Sequence, residues 1–129
     1  MDEDSLKKQL EKQMECEVVF IPWDRNEKYG HSDGIIKPIS DNTILMTNYH
    51  DFDREYTNEV VKRLSCKFEI ETLSYKVRKT APESWAYINF LTVGKLIVLP
   101  SLGKEEDEQA LSHVKRYYPE CLVEQLNIS

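Results

Sequence analysis

The stretch whose reading decides the fold runs from Ile35 to Leu73, IIKPISDNTILMTNYHDFDREYTNEVVKRLSCKFEIETL. It opens with two short β-rich runs, IIKPI and TILMTNY, separated by SDN. Asp41 and Asn42 are turn formers, so this reads as a hairpin. From Asp53 the period changes from strand to helix. Tyr56, Val60, Val61 and Leu64 fall on one helical face, and Asp53 is placed to cap it. KFEIETL then alternates, with Phe68 and Ile70 on one side, which is the pattern of a closing strand. The unit is therefore β-β-α-β.

Working outward toward the C-terminus, the pattern returns. AYINFL reads as a strand, Gly94-Lys95 as a tight turn and LIVLP as a second strand. KEEDEQALSHVKRYY is a helix with Ala110, Leu111, Val114 and Tyr118 inward. Its acidic first turn suits the helix dipole, and Pro119 ends it. CLVEQLNI closes as a strand. The first strands start at Ile35 and Tyr87, 52 residues apart (87 − 35). The second start at Ile44 and Leu96, also 52 apart (96 − 44), and the last at Phe68 and Cys121, 53 apart (121 − 68). The repeat is one of pattern, not of letters.

Toward the N-terminus, Leu6, Leu10 and Met14 recur every four residues in a short helix capped by Asp4 or Ser5. EVVFIPW follows as a β-rich run ended by Pro22. The expected architecture is α/β. Two β-β-α-β units, residues 35–73 and 87–128, follow an α-β half unit at 4–22, within a single partial domain over 1–129. Helices are expected at 4–14, 53–65 and 104–118. Such units need neighbours to bury their faces. Open strand edges are expected to promote self-association.

Composition limits the function. The chain has 129 residues, 40% hydrophobic and 31% charged, as expected of a soluble globular protein. A net charge of −6 argues against a nucleic-acid backbone binder, which needs a basic face. It is compatible with a small cationic ligand. The longest apolar runs, VVFI and LIVLP, are too short to cross a bilayer, so no membrane partner is expected. The polar start, MDEDSLKKQL, is no secretory signal. Cys16, Cys66 and Cys121 are odd in number, and a reducing cytoplasm with free thiols is expected. No C-x-x-C or His/Cys cluster is present, so no metal site is expected.

Between the half unit and the first full unit lies a polar loop, DRNEKYGHSDG, residues 24–34. It brings His31 and Asp33 two residues apart, bracketed by Gly30 and Gly34. By themselves these would be an exposed histidine and a turn-forming aspartate. Their setting adds to that. FIPWDRNEKYGHSDGIIKPISDNTILMTNY resembles the agmatine deiminase and Porphyromonas-type peptidylarginine deiminase family, which carries Gly-His-x-Asp followed by a strand, a turn and a second strand. Tyr87, Asn89 and Phe90 resemble the family's Tyr-x-Asn-Phe segment. KLIVLPSLGKEEDEQAL, with Asp107, and the tail YYPECLVEQLNI are similar to its later elements. The resemblance runs from Val18 to Ile128.

The resemblance implies a pentein-type fold and hydrolysis of a guanidine to a ureido group plus ammonia. In that chemistry a Cys thiolate attacks the guanidinium carbon. A His moves protons, and carboxylates hold the planar cation by charge-assisted hydrogen bonds. The motif carries over His31 as the proton-transfer residue and Asp33 as one guanidinium anchor. On an extended segment, residues two apart point the same way. Asn89 is a further substrate-binding candidate, weighed against a role in satisfying backbone groups at a strand end. The family's nucleophile lies in a Gly-rich segment beyond the strand that ends this chain, and its second carboxylate lies upstream. No nucleophile is identified among the three cysteines. Lys37 stands where relatives often have Arg.

The expected function is a portion of a guanidine-deiminating hydrolase, inactive as this isolated chain. Agmatine is the first-choice ligand, peptidyl arginine the second, and no cofactor is required. The alternative is a non-catalytic relative acting as a binding module. Trp23 and Trp85 are candidates for a pocket wall. Lys76, Arg78 and Lys79 form a basic cluster read as a solvated loop, and His113 is read as a surface residue.

Overall fold

The computed structural model describes residues 1–77 and 86–129. Arg78, Lys79 and Trp85 lie outside the described residues. Asp2 opens the first helix, α1 (Glu3–Met14), its carboxylate accepting the Ser5 N–H at 2.7 Å. The cap therefore falls before Asp4 and Ser5, and both of these sit inside the first turn. Glu15 closes α1 in the left-handed region, at φ 53°.

EVVFIPW does not form a strand. A strand needs a ladder neighbour, and here side chains take the backbone groups instead. Glu11 accepts the Val18 N–H at 3.0 Å, and Arg63 donates to the Phe20 carbonyl at 3.4 Å. Val19 and Ile21 still pack onto the first unit's core.

The first unit forms as its sequence pattern predicts. β1 (Ile36–Pro38) pairs antiparallel with β2 (Thr43–Met46), and β2 pairs parallel with β3 (Glu69–Thr72). The parallel step is made by α2 (Arg54–Leu64). Asp53 caps α2 by accepting the Tyr56 N–H at 2.9 Å. Val60 and Leu64 are buried against Ile44, Met46 and Tyr49, with Tyr56, Val61, Phe68 and Ile70 around them.

The second unit repeats the topology. β4 (Leu91–Val93) pairs antiparallel with β5 (Leu96–Ser101), which pairs parallel with β6 (Leu122–Asn127). α3 (Glu106–Tyr117) makes the crossover. Gly94, at φ 57°, makes the two-residue hairpin turn, where a side chain would be strained. One boundary differs from the pattern. Residues 86–88 form a turn, in which Asn89 N–H donates to the Ala86 carbonyl at 3.0 Å, and the strand starts only at Leu91. Tyr87 and Ile88 are adjacent and both fully buried, which a strand with one open face cannot achieve. The true offset is 53 for β2 to β5 (96 − 43) and for β3 to β6 (122 − 69), but 55 for β1 to β4 (91 − 36).

The two units share apolar packing. Leu45 and Leu73, from the rear of the first sheet, belong to the same buried cluster as Tyr87, Phe90, Ile97, Leu99, Ala110 and Val114. The chain thus has the two repeated β-β-α-β units that the pattern predicted, as fits the partial pentein-type array that the resemblance implied.

Candidate functional site

The loop from Asp24 to Gly34 is held by two carboxylates. Asp24 is buried, 4% exposed. One of its oxygens accepts the Asn26 N–H at 2.8 Å and the other accepts the Tyr49 hydroxyl at 2.6 Å. Burial, reinforced by the Asp24 carboxylate, pushes the Tyr49 hydroxyl far above the usual phenol range. Glu27 gathers the next turn. One of its oxygens accepts the Tyr29 N–H at 2.8 Å and the His31 N–H at 2.9 Å. The His31 N–H is the main reason that the Glu27 carboxyl is held below its usual range. Gly30 sits between them at φ 69°, a conformation that glycine adopts without strain.

This bracing sets His31 on the rim of a cleft of about 230 Å³. Trp23, Asp24, Ser32, Ile35 and Tyr56 are among its other walls. The His31 ring stacks on Tyr29 at 5.6 Å between centroids, with 25° between planes. His31 itself is exposed and its backbone is extended, at φ −75° and ψ 94°. The next three residues, Ser32–Gly34, turn as a 3₁₀ segment. Asp33 therefore does not follow His31 on one extended segment, as the two-residue spacing had suggested. It sits within a turn, exposed, and does not line the His31 cleft. Asn89 is also exposed and outside that cleft.

Trp23 stands 70% exposed between this cleft and a second one of about 430 Å³, lined by Arg25, Asp53, Glu55 and Glu59. Pro22, Trp23 and Tyr56 form a wall common to both. An exposed indole with carboxylates on one side and an imidazole on the other suits an organic cation. Sequence reasoning had Trp23 as a wall candidate but missed Asp24 and Glu27. The Asp-x-Asn spacing of Asp24 and Asn26 was the available signal for a local turn. Cys16 and Cys66 are exposed and Cys121 is half-buried, and none of them lines the His31 cleft. Among the described residues, no group of three His, Cys, Asp or Glu side chains is placed to hold a metal ion. No described helix is long and apolar enough to cross a membrane.

The fold and site define a class: α/β proteins of repeated β-β-α-β units, with a histidine-bearing loop beside the first sheet. Residues 1–129 match the Porphyromonas-type peptidyl-arginine deiminase family, and the chain belongs to that family. Among solved structures, the chain is similar to the agmatine deiminase of Enterococcus faecalis, with a TM-score of 0.71 and 16% identity, covering 98% of this chain and 44% of that one. For the agmatine deiminase of C. jejuni the TM-score is 0.66 at 17% identity, with 98% and 42% covered. An amidinotransferase from Microseira wollei is similar at a TM-score of 0.53 and 13% identity, with 100% and 34% covered. At such identities the likeness establishes the fold alone. The chain spans less than half the length of these structures. No curated protein sequence matches it closely.

Proposed function

We propose that this chain supplies the proton-transfer and cation-anchoring portion of a guanidine-deiminating hydrolase, with agmatine as the first-choice substrate and peptidyl arginine as the second. The observation that carries the reading is the braced loop. Glu27 and Asp24 hold His31 at the rim of an aromatic-walled cleft, in a chain that matches the deiminase family from end to end.

In this reading His31 moves a proton to the leaving ammonia and takes one from the attacking water. Asp33 anchors the guanidinium. Its exposed 3₁₀ turn leaves it free to face a cation that enters from outside the cleft. Asn89 is a further ligand contact. The bond from carbon to the departing nitrogen breaks, water supplies the oxygen, and ammonia leaves. The attacking thiolate comes from residues other than these 129, because none of the three cysteines reaches His31's cleft. The isolated chain is therefore inactive. A cytoplasmic setting belongs to the same reading, supported by three unpaired cysteines.

The test supplies the missing part of the fold in trans, as the C-terminal segment of a related deiminase, with agmatine as substrate. Colour development for the ureido product, lost with His31→Ala, is the expected result. Absence of turnover in the reconstituted mixture sinks the enzymatic reading. Saturable agmatine binding by the isolated chain, lost with Asp33→Ala, would then favour the binding-module alternative.

A further inference from the structure

The α3 helix turns a polar stripe toward the segment that follows β3. Gln109, Ser112, His113 and Arg116 recur at helical spacing and share one face of α3. The Lys76 backbone N–H donates to the Gln109 side-chain oxygen at 2.6 Å, which docks the segment 74–76 against that face. A cleft of about 390 Å³ lies here. Ser74 and Lys76 wall it on the loop side and the α3 stripe on the other, with Glu108 also in its wall. The sequence reads Lys76 as part of a solvated loop, and the structure makes it part of this cleft.

The wall is rich in donors. The Gln109 amide oxygen is taken by the Lys76 N–H, so its NH₂ remains as a free donor group. Among the described residues, the Ser74 and Ser112 hydroxyls have no hydrogen-bond partner, and the Lys76 ammonium and Arg116 guanidinium make no ion pair. Two permanent cations therefore stand against one carboxylate, Glu108, in a chain whose net charge is −6. The His113 imidazole joins them, with its Nδ1 enclosed and unpartnered. After burial, Arg116 is the second cause that holds this imidazole below its ordinary range.

We infer that this cleft binds a phosphate group, held between Lys76 and Arg116, with Ser74, Ser112 and Gln109 as neutral donors. A phosphomonoester carries a charge of about −1.5 to −2 at pH 7 and offers three strong acceptor oxygens. A planar carboxylate has two oxygens and one charge, and would leave more of these donors unused. The guanidinium fork matches phosphate oxygens in pairs, and the ammonium acts as a point charge. The volume lies within the range of small-molecule pockets, about 300–1,000 Å³, so free phosphate or the monoester of a small molecule can enter. The cleft shares no residue with the His31 cleft, and the inference stands apart from the deiminase reading.

The test is a ¹H–¹⁵N NMR titration of the 129-residue chain with inorganic phosphate and, separately, with glycerol 3-phosphate, at constant ionic strength. Saturable shifts are expected at the amides of Lys76, Gln109, Ser112 and His113. Tighter binding of glycerol 3-phosphate assigns the site to a monoester, and tighter binding of inorganic phosphate assigns it to the free ion. Lys76→Gln and Arg116→Gln should each weaken binding at least fivefold, and Glu108→Gln should tighten it. All three side chains are exposed, so the variants should keep the wild-type spectrum elsewhere. Shifts that fail to saturate with either ligand, or that sodium chloride reproduces, overturn the inference. Unchanged affinity in Arg116→Gln does so as well.

Discussion

The Lys37 ammonium donates to the Phe90 carbonyl at 2.9 Å and lies 4.5 Å from the centroid of the Phe90 ring. It joins β1 of the first unit to the segment that leads into β4 of the second. Burial holds this ammonium below the usual lysine range. An arginine at this position would bring a charge that burial cannot neutralise. Lys37 reaches a single carbonyl and an aromatic face, a task suited to a point charge on a flexible stem.

Replacing Lys37 with Ala should therefore loosen the junction between the units. The Phe90 carbonyl loses its side-chain donor and the ring loses its cation. A loss of about 1–3 kcal/mol is expected from an orphaned acceptor and a missing cation–π contact. Urea unfolding monitored by circular dichroism reads this directly. An unchanged midpoint would show that the contact contributes nothing net.

A second prediction concerns Asp24 and Tyr49, whose 2.6 Å contact is buried beneath the His31 loop. Tyr49→Phe keeps the ring packing against Phe52 and Tyr56 but removes the donor. Among the described residues, the buried carboxylate then keeps the Asn26 N–H at 2.8 Å as its hydrogen-bond partner. The expected cost is about 1.5–3 kcal/mol, the range for a hydrogen bond to a charged group. Thermal unfolding of Tyr49→Phe against wild type measures it.

Glu27 offers a local test of the loop. Glu27→Ala removes the acceptor shared by the Tyr29 and His31 N–H groups. Hydrogen exchange at these two amides should accelerate at least tenfold, while amides of β2 and α2 keep their protection. If Tyr29 and His31 exchange at wild-type rates, Glu27 does not organise the turn.

His113 gives a pH prediction. The sequence suggested a surface residue, but it is half-buried, with Nδ1 enclosed and without a hydrogen-bond partner. Burial, aided by nearby Arg116, lowers its pKa below the ordinary 6.5. The unfolded chain therefore binds a proton more readily than the folded one. Stability should rise as pH increases through the window that ends near 6.5, and level off above it. His113→Gln should flatten that part of the profile in denaturant titrations from pH 4.5 to 7.5. A slope that persists unchanged assigns it to other groups.

The sequence alone determined the repeat, the α/β class, the helix faces, the Asp53 cap, the Gly94 turn and the His31–Asp33 motif. Each depends on local rules: a period of two or 3.6, a capping side chain, a glycine at positive φ. Tertiary structure decided the rest. It made EVVFIPW an unpaired segment, because strand formation needs a neighbour that sequence periodicity does not supply. It turned residues 86–88 into a buried turn, because Tyr87 and Ile88 both had to enter the core. It closed the rear of the first sheet and left that of the second open, although Leu45 and Val98 read alike in sequence. It also brought Asp24 to Tyr49 and Lys37 to Phe90 across 25 and 53 residues. Burial of a second face and pairing of distant polar groups depend on which units meet, and no window along the chain contains that information.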